Sequence, residues 1–331
     1  MAHARSLTSI EICAGGGGQA LGLEKAGFKH LAVVELEPHA CATLRRNRPY
    51  WNTLQADVTK WHATEYRGLV DLFAGGVPCP PFSKAGRQLG AMDERDLFPH
   101  ALRLVRQCQP KAVLLENVRG LLDERFADYR EELDRQLSEE GYQTFWRLHH
   151  ASDFGVPQLR PRTILVALTK QIAPYFAWPE ADGRTPTVGE ALRELMAERG
   201  WRGAEAWAAR ASKIAPTLVG GSTKHGGPDL GPTRARNEWA KLGVNGKLLA
   251  ETAPAPSFRG MPTLTVQMAA VLQGFPAEWT FMGKKTNAYR QVGNAFPPPV
   301  AHAVGSKIAD ALKAAAKASR TSSLAAVARA A

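Results

Sequence analysis

An α/β fold built on a mostly parallel sheet, with a smaller irregular domain after it, is predicted by three observations. The first half of the chain alternates near-continuous apolar runs with helical patterns, as strands covered on both faces require. Its first strand runs into four consecutive glycines, Gly15 to Gly18, at the start of a helix. After about residue 170 the texture changes to Gly, Pro, Trp and basic residues with weak periodicity.

Each element follows from its local pattern. "LTSIEICAGGGG" is a strand entering a glycine turn, "QALGLEKAGF" has helical spacing, and "HLAVVELE" is a strand ending in carboxylates. "PHACATLRRN" is a helix with a basic end, and "LVDLFAGGVP" is a strand and turn. "LFPHALRLVRQC" is an amphipathic helix and "KAVLLENV" a strand. "YREELDRQLSEEG" is a charged helix stopped by Gly141, and "RPRTILVALT" is one more strand. Residues 171–262 read as loop-rich. Regular pattern returns with "LTVQMAAVLQGF" and the amphipathic "VAHAVGSKIADALKAAAKA", and 319–331 reads as a frayed, flexible tail. The expected division is therefore 1–170, 171–285, a returning segment 286–318, and the tail.

Composition narrows the function classes. The chain has 331 residues, 44% of them hydrophobic and 22% charged, enough to bury a sizeable core. No apolar run is long enough to cross a membrane and "MAHARSLTSI" lacks a signal-peptide core, so a cytoplasmic monomer is expected. Cysteines 13, 41, 79 and 108 contain no CxxC pair, which supports neither a metal site nor a disulfide framework. Residues 1–169 carry 21 Lys+Arg against 20 Asp+Glu, so +10 of the net +11 belongs to the second half. A basic module beside a neutral one suits a phosphate-rich partner.

A strand, a glycine turn, a helix, and then a strand ending in an acid is nucleotide-site grammar. Glycines let backbone amides approach a ligand, and the acid, here Glu35, accepts ribose hydroxyls. The pattern fits a dinucleotide or S-adenosylmethionine and does not choose between them. "GGVPCPPFSKAG" (75–86) then places Cys79 between prolines on a loop after a sheet strand, and Glu116 ends the next strand in "LLENVRG". In "QLRPR", Arg160 and Arg162 are two apart, on one side of an extended segment, able to hold phosphate, a base carbonyl or the glutamate. A reactive thiol beside a carboxyl of raised pKa is the equipment for attacking C6 of a cytosine while its N3 is protonated. Cys41 and Cys108 fall on helices and read as core residues.

These stretches carry a resemblance. "AGGGG", "GGVPCPPFSKAG", "ENV" (116–118), "QLRPR" (158–162), "LQGFP" (272–276) and "GNAFPPPVA" (293–301) resemble, in order, six motifs of the DNA (cytosine-5)-methyltransferases. The resemblance implies a Rossmann-like S-adenosylmethionine-dependent fold with a small target-recognition domain, double-stranded DNA as partner, and S-adenosylhomocysteine as product. It implies Cys79 as nucleophile, Glu116 as acid, and Arg160 and Arg162 as supports of the base and the carboxylate. For the cofactor it implies Cys13, Ala14, Gly15, Gly17, Gly18, Glu35, Leu36, Asp57, Val58, Pro78, Leu97 and Asn294. For DNA it implies Ser83, Arg87 and Arg95 on a closing loop. Arg234 and Arg236 in "GPTRARNEW" are the candidates for base or phosphate contacts, and His225 is either a DNA contact or a solvated loop residue.

The sequence departs from the family at Cys13, where phenylalanine is usual, at Pro80, where glutamine is commoner, and at Gln267, where an acid is frequent. A restriction-modification enzyme, with a cognate endonuclease as a partner in the cell, is the expected context. An RNA (tRNA) cytosine-5 methyltransferase of the same fold is the alternative. A nicotinamide-dependent oxidoreductase leaves Cys79 and Glu116 without a role, and a DNA-binding module without catalysis has no use for either.

Overall fold

Near-continuous apolar runs give the central strands of the first half two hydrophobic faces, and both faces are covered. The computed structural model describes residues 6–78, 96–181, 183–220 and 227–330, with 322–330 as backbone alone. In chain order, β1 (Leu7–Ile12), α1 (Gly18–Lys25), β2 (Phe28–Glu35), α2 (Pro38–Asn47), β3 (Thr53–Gln55) and β4 (Leu72–Gly75) form the first part of the sheet layer. They are followed by α3 (Phe98–Cys108), β5 (Ala112–Val118), α4 (Ala127–Glu139), β6 (Tyr142–His150) and β7 (Pro161–Thr169). The strand order is β3-β2-β1-β4-β5-β7-β6. β1 to β5 pair in parallel, whereas β7 runs antiparallel to both neighbours. The order reverses between β1 and β4, which opens a crevice at the carboxyl ends of the strands.

Ile10, Ile12, Val34, Phe73 and Val113 face α3 and α4 in one core. Leu72, Ala74, Leu114 and Val166 face the other side, where α10 (Pro298–Ala330) lies. The expected returning segment is thus a helix that docks on α1. It continues to Ala330, so the stretch expected to fray is helical. Its alanine-rich sequence has high intrinsic helix propensity and needs no packing to favour that state.

Two strands were not legible. β3 has three residues, and β6 is an edge strand whose "YQTFWRLHH" mixes aromatic and polar residues because it has one paired neighbour. The region expected to be irregular contains α5 (Val188–Ala197), α6 (Ala204–Arg210) and α7 (Thr233–Lys241). α5 opens with a capping box, Thr187 to Glu190, a start signal present in the sequence. Trp207 and Trp239 sit at the centre of this part, and its core continues through α8 (Val266–Leu272) to Leu44 and Trp51 beneath the sheet. α9 (Lys285–Asn294) precedes α10 and brings the chain back to the crevice.

The docking of α10 on α1 depends on missing side chains. A Cβ on Gly22 would lie 2.5 Å from both the Ala301 Cβ and the Pro298 carbonyl oxygen, whereas one on Gly305 would meet side chains, the Leu23 Cδ2 at 2.8 Å and the Ala26 Cβ at 3.2 Å. In an isolated helix either Gly→Ala change would gain roughly 1 kcal/mol. Here Gly22→Ala is expected to lose about 1–3 kcal/mol through backbone overpacking. Gly305→Ala is expected to lose less, because the Leu23 side chain can turn away. Urea unfolding of both variants measures this, and an unchanged midpoint for Gly22→Ala would contradict the packing.

Candidate active site

The crevice at the strand ends holds a cavity of about 490 Å³, within the range of small-molecule sites. The turn after β1 forms one wall. Cys13 (φ 51°), Gly15 (φ 53°) and Gly17 (φ 86°) are all left-handed, so three of five consecutive residues take a conformation that only glycine adopts freely. The turn is pinned by Glu35 at the end of β2. Its Oε2 accepts the Gly15 N–H (2.7 Å), and its Oε1 accepts the N–H groups of Leu36 (2.9 Å) and Glu37 (2.8 Å). A carboxylate has about four acceptor positions, so one stays open toward the cavity.

The opposite wall is built at the ends of β4 and β5. Glu116 is 7% exposed and its Oε1 accepts from the Arg162 Nε at 2.7 Å. Arg162 on β7 stands opposite Val118 in antiparallel register, which places it diagonally beside Glu116 on the same face. Burial raises the Glu116 pKa above the usual carboxylate range, while the charges of Arg162 and Arg160 oppose that rise. Gly76 lies bare against this pair, since a Cβ there would be 3.2 Å from the Glu116 Oε2. The Asn117 Nδ2 donates to the Val77 carbonyl at 2.9 Å and ties β5 to the chain that leads through Pro78 toward Cys79. Val77 and Pro78 line the cavity.

Arg160 and Arg162 part company. Arg160 precedes β7 and is fully buried. Its Nη1 donates to the Leu218 carbonyl and its Nη2 to those of Gly293 and Ala295, all at 2.9 Å. Beside it the Gln158 Nε2 donates to the Leu272 carbonyl (3.0 Å) and the Gln273 Oε1 (2.6 Å), and its own Oε1 accepts the Leu218 N–H (2.8 Å). The two arginines therefore serve different ends, Arg162 the carboxylate and Arg160 the chain, because the partners of Arg160 come from segments outside the sheet.

The remaining candidates divide as follows. Cys13, Ala14, Gly15, Glu35, Pro78 and Asn294 line the cavity. Gly17 and Gly18 stand behind the turn, where added Cβ atoms would meet Leu44 at 2.7 Å and the Phe296 carbonyl at 2.2 Å. Leu36 is exposed, and Val58 and Leu97 join Cys13 in one hydrophobic cluster. The Asp57 Oδ1 accepts from the Thr59 N–H (2.9 Å) and Oγ1 (2.7 Å). Arg234 and Arg236 lie in the first turn of α7, where the Arg236 Nη2 donates to the Thr233 Oγ1 at 3.1 Å. Cys79, Ser83, Arg87, Arg95 and His225 lie outside the described residues. Burial holds the Cys108 thiol at about 12 and pushes Cys13 higher, with Glu35 and Glu11 adding to the rise, so neither supplies a thiolate. Among the described residues no cluster of metal-ligating side chains occurs, and no helix is long and apolar enough to cross a membrane.

Of the cavity residues outside the expected set, which also include Glu37, Arg290 and Gln291, Glu11 and Gln19 are the most buried polar ones. Glu11 on β1 is 1% exposed and Gln19 on α1 is 3% exposed, and none of their side-chain oxygen or nitrogen atoms has a hydrogen-bond partner. A lone acid inside the apolar "SIEICAG" was the available signal for Glu11. Burial raises its pKa well above the usual carboxylate range; the Ala20 amide opposes the rise, and the nearby Glu35 adds to it by a lesser amount.

A carboxyl whose folded pKa exceeds its unfolded value binds its proton more tightly in the folded state. Its contribution to stability is therefore full at acid pH and is lost as pH rises through the window between the two values. Glu11→Gln removes that loss. The variant is expected to match the wild type near pH 4 and to be more stable than the wild type at pH 7. Urea unfolding across this range tests the sign.

Comparison with known proteins agrees with this arrangement. A family model described as C-5 cytosine-specific DNA methylase matches residues 7–310. The chain is 57% identical over 314 residues to the type II methyltransferase M.NaeI of Lentzea aerocolonigenes, covering 93% of this chain and 76% of that protein. It is 53% identical over 314 residues to M.NgoMIV of Neisseria gonorrhoeae, covering 92% and 98%. Among solved structures, a putative DNA modification methyltransferase from an Escherichia coli prophage superposes with a TM-score of 0.65 at 24% identity, over 93% of this chain and all of that one. At that identity the likeness shows the fold. The RNA alternative has less support than DNA methylation from these relatives. The chain belongs to the C-5 cytosine-specific DNA methylases.

Proposed function

We propose that this methylase acts on a cytosine flipped out of one short DNA sequence, with Cys79 as nucleophile, Glu116 as acid and Arg162 as the residue that orients both acid and base. The observation that carries the reading is the buried Glu116–Arg162 pair, at 2.7 Å, against Gly76 in the same cavity as the Glu35-pinned turn. Cys79 follows directly on the cavity-lining Pro78.

The donor site is tested by its unused polar groups. Glu35 retains an acceptor position for a ribose hydroxyl, and Glu11 and Gln19 are buried without partners in the same cavity. Buried polar groups without partners carry a free-energy cost that a polar ligand relieves. Four carboxyl groups line the cavity, Glu11, Glu35, Glu37 and Glu116, against two guanidinium groups, Arg162 and Arg290, and this excess of acidic groups suits a cationic ligand. These residues fit S-adenosylmethionine: Glu35 would hold its ribose, and Cys13, backed by Val58 and Leu97 in one apolar cluster, would offer a surface to its adenine. When bound, it supplies a methyl group made electrophilic by the sulfonium.

The chain's own residues do the rest. Cytosine C5 is a poor nucleophile in the intact ring. Addition of the Cys79 thiolate to C6 forms the S–C6 bond and moves the ring electrons toward C5, while the Glu116 proton neutralises charge at N3. A carboxyl whose pKa burial has raised holds that proton closer to neutrality than an exposed one. Once C5 is substituted, loss of its proton expels the thiolate and restores the ring. Flipping costs roughly a few kcal/mol of stacking and pairing, which contacts to the extruded base offset.

Residues 171–285, with their excess positive charge, form the DNA-reading module in this proposal, and Arg234 and Arg236 are its candidate contacts. A cytoplasmic monomer paired with an endonuclease for the same sequence is the proposed setting, as for a type II enzyme.

Bisulfite sequencing of DNA from a methylation-free host expressing the protein is expected to show protected cytosines in one context. Protection is expected to vanish with Cys79→Ala, and soluble wild-type protein that protects no cytosine would overturn the proposal. Alanine at Arg234 or Arg236 is expected to relax one position of that context, by about 1–3 kcal/mol, if it reads a base. A phosphate contact would instead weaken binding to all sequences alike.

A further inference from the structure

The left-handed turn at Cys13–Gly18 is held from outside as well as inside. On its inner side are the Glu35 bonds. On its outer side the Trp279 Nε1 donates to the Gly16 carbonyl at 3.1 Å, and the indole is 4% exposed. Gly16 and Gly17 have no room for side chains: an added Cβ on Gly16 would lie 2.8 Å from the Phe281 Cε1, and one on Gly17 would lie 2.7 Å from the Leu44 Cδ2 and 3.1 Å from the Trp279 Cζ2. The rings are themselves braced. Phe275 packs edge-on against Phe281 with centroids 5.0 Å apart, and the Arg48 guanidinium lies 5.1 Å from the Trp279 ring. A left-handed Cys13 is strained and persists only where its surroundings over-determine it.

We infer that Trp279, with Phe281 beside it, is a positioning residue for donor binding: it clamps the outer side of the turn so that the cavity-facing backbone stays in its ligand-receiving shape. This rests on the proposed donor site. Trp279 touches neither the cavity nor the base, and it lies in the segment after α8, far in sequence from the turn it holds. The clamp links donor affinity to the packing of a segment outside the sheet.

The test is calorimetric titration of the intact protein with S-adenosylhomocysteine, a stable probe of the donor site. Trp279→Phe keeps an aromatic ring and removes the N–H, and is expected to weaken binding about five- to tenfold, the size of one lost hydrogen bond. The control is Trp207→Phe. Its Nε1 donates to the Gly243 carbonyl at the same 3.1 Å, in the core of the smaller part of the molecule. It is expected to lower the unfolding temperature without changing the affinity. Equal affinities for wild type and Trp279→Phe would overturn the positioning role alone, whereas no binding by wild type would overturn the donor site and this inference with it. Gly16→Ala approaches the same contact from the turn, so the inference remains testable where Trp279→Phe does not fold. It is expected to weaken binding, and Phe281→Leu, by making room for the added methyl, is expected to restore it. Gly16→Ala with unchanged affinity, or no rescue by Phe281→Leu, would count against the clamp.

Discussion

The buried guanidinium of Arg160 is the constraint on which the remainder depends. It is a charged group with no carboxylate in contact, held by three backbone carbonyls from two distant segments, at Leu218 and at Gly293 and Ala295. Its Nε has no partner, so these three carbonyls alone offset the desolvation of the charge, which costs several kcal/mol for an unpaired ion. Gln158 and Gln273 complete the network, so the start of β7, the segment between α6 and α7, the end of α8 and the end of α9 meet at one place. Asn294, a wall of the cavity, lies between two of the carbonyls that Arg160 holds.

The same residue shapes the electrostatics of the reaction site. Arg160 stands behind Arg162, and its positive charge reaches Glu116 without touching it. Glu116 therefore sits between opposed influences: burial favours its neutral form and two guanidinium groups favour its anion. Three of the cavity's four carboxyl groups are thus made different by their neighbours. Glu35 is fixed by three amides, Glu116 is paired with Arg162, and Glu11 has no partner. Placement on β2, β5 and β1 at one edge of the sheet brings them together, and local donors separate their chemistry.

Glycine and aromatic residues divide the work of holding the donor wall. Gly15 and Gly17 permit the left-handed path, and Gly16 to Gly18 admit side chains and backbone from α2, from the segment after α8 and from the start of α10. The tetraglycine stretch therefore serves close packing from behind as much as approach of a ligand from the front.

The sequence by itself determined the elements whose information is local. Period and apolar content marked five of the seven strands, the glycine turn announced its site, and the strand ends carried Glu35 and Glu116 to one edge. The order of six motifs named the family. What only the tertiary structure decided involves partners far apart in the chain. Nothing near Arg160 and Arg162 tells them apart, because the acceptors of Arg160 lie as many as 135 residues away. The antiparallel sense of β7 depends on which edge of the sheet is free. Glu11, Gln19 and Trp279 likewise acquire their places only when the crevice closes around them. A pattern along the chain reports which face of an element is buried, whereas what the buried face meets is fixed by folding.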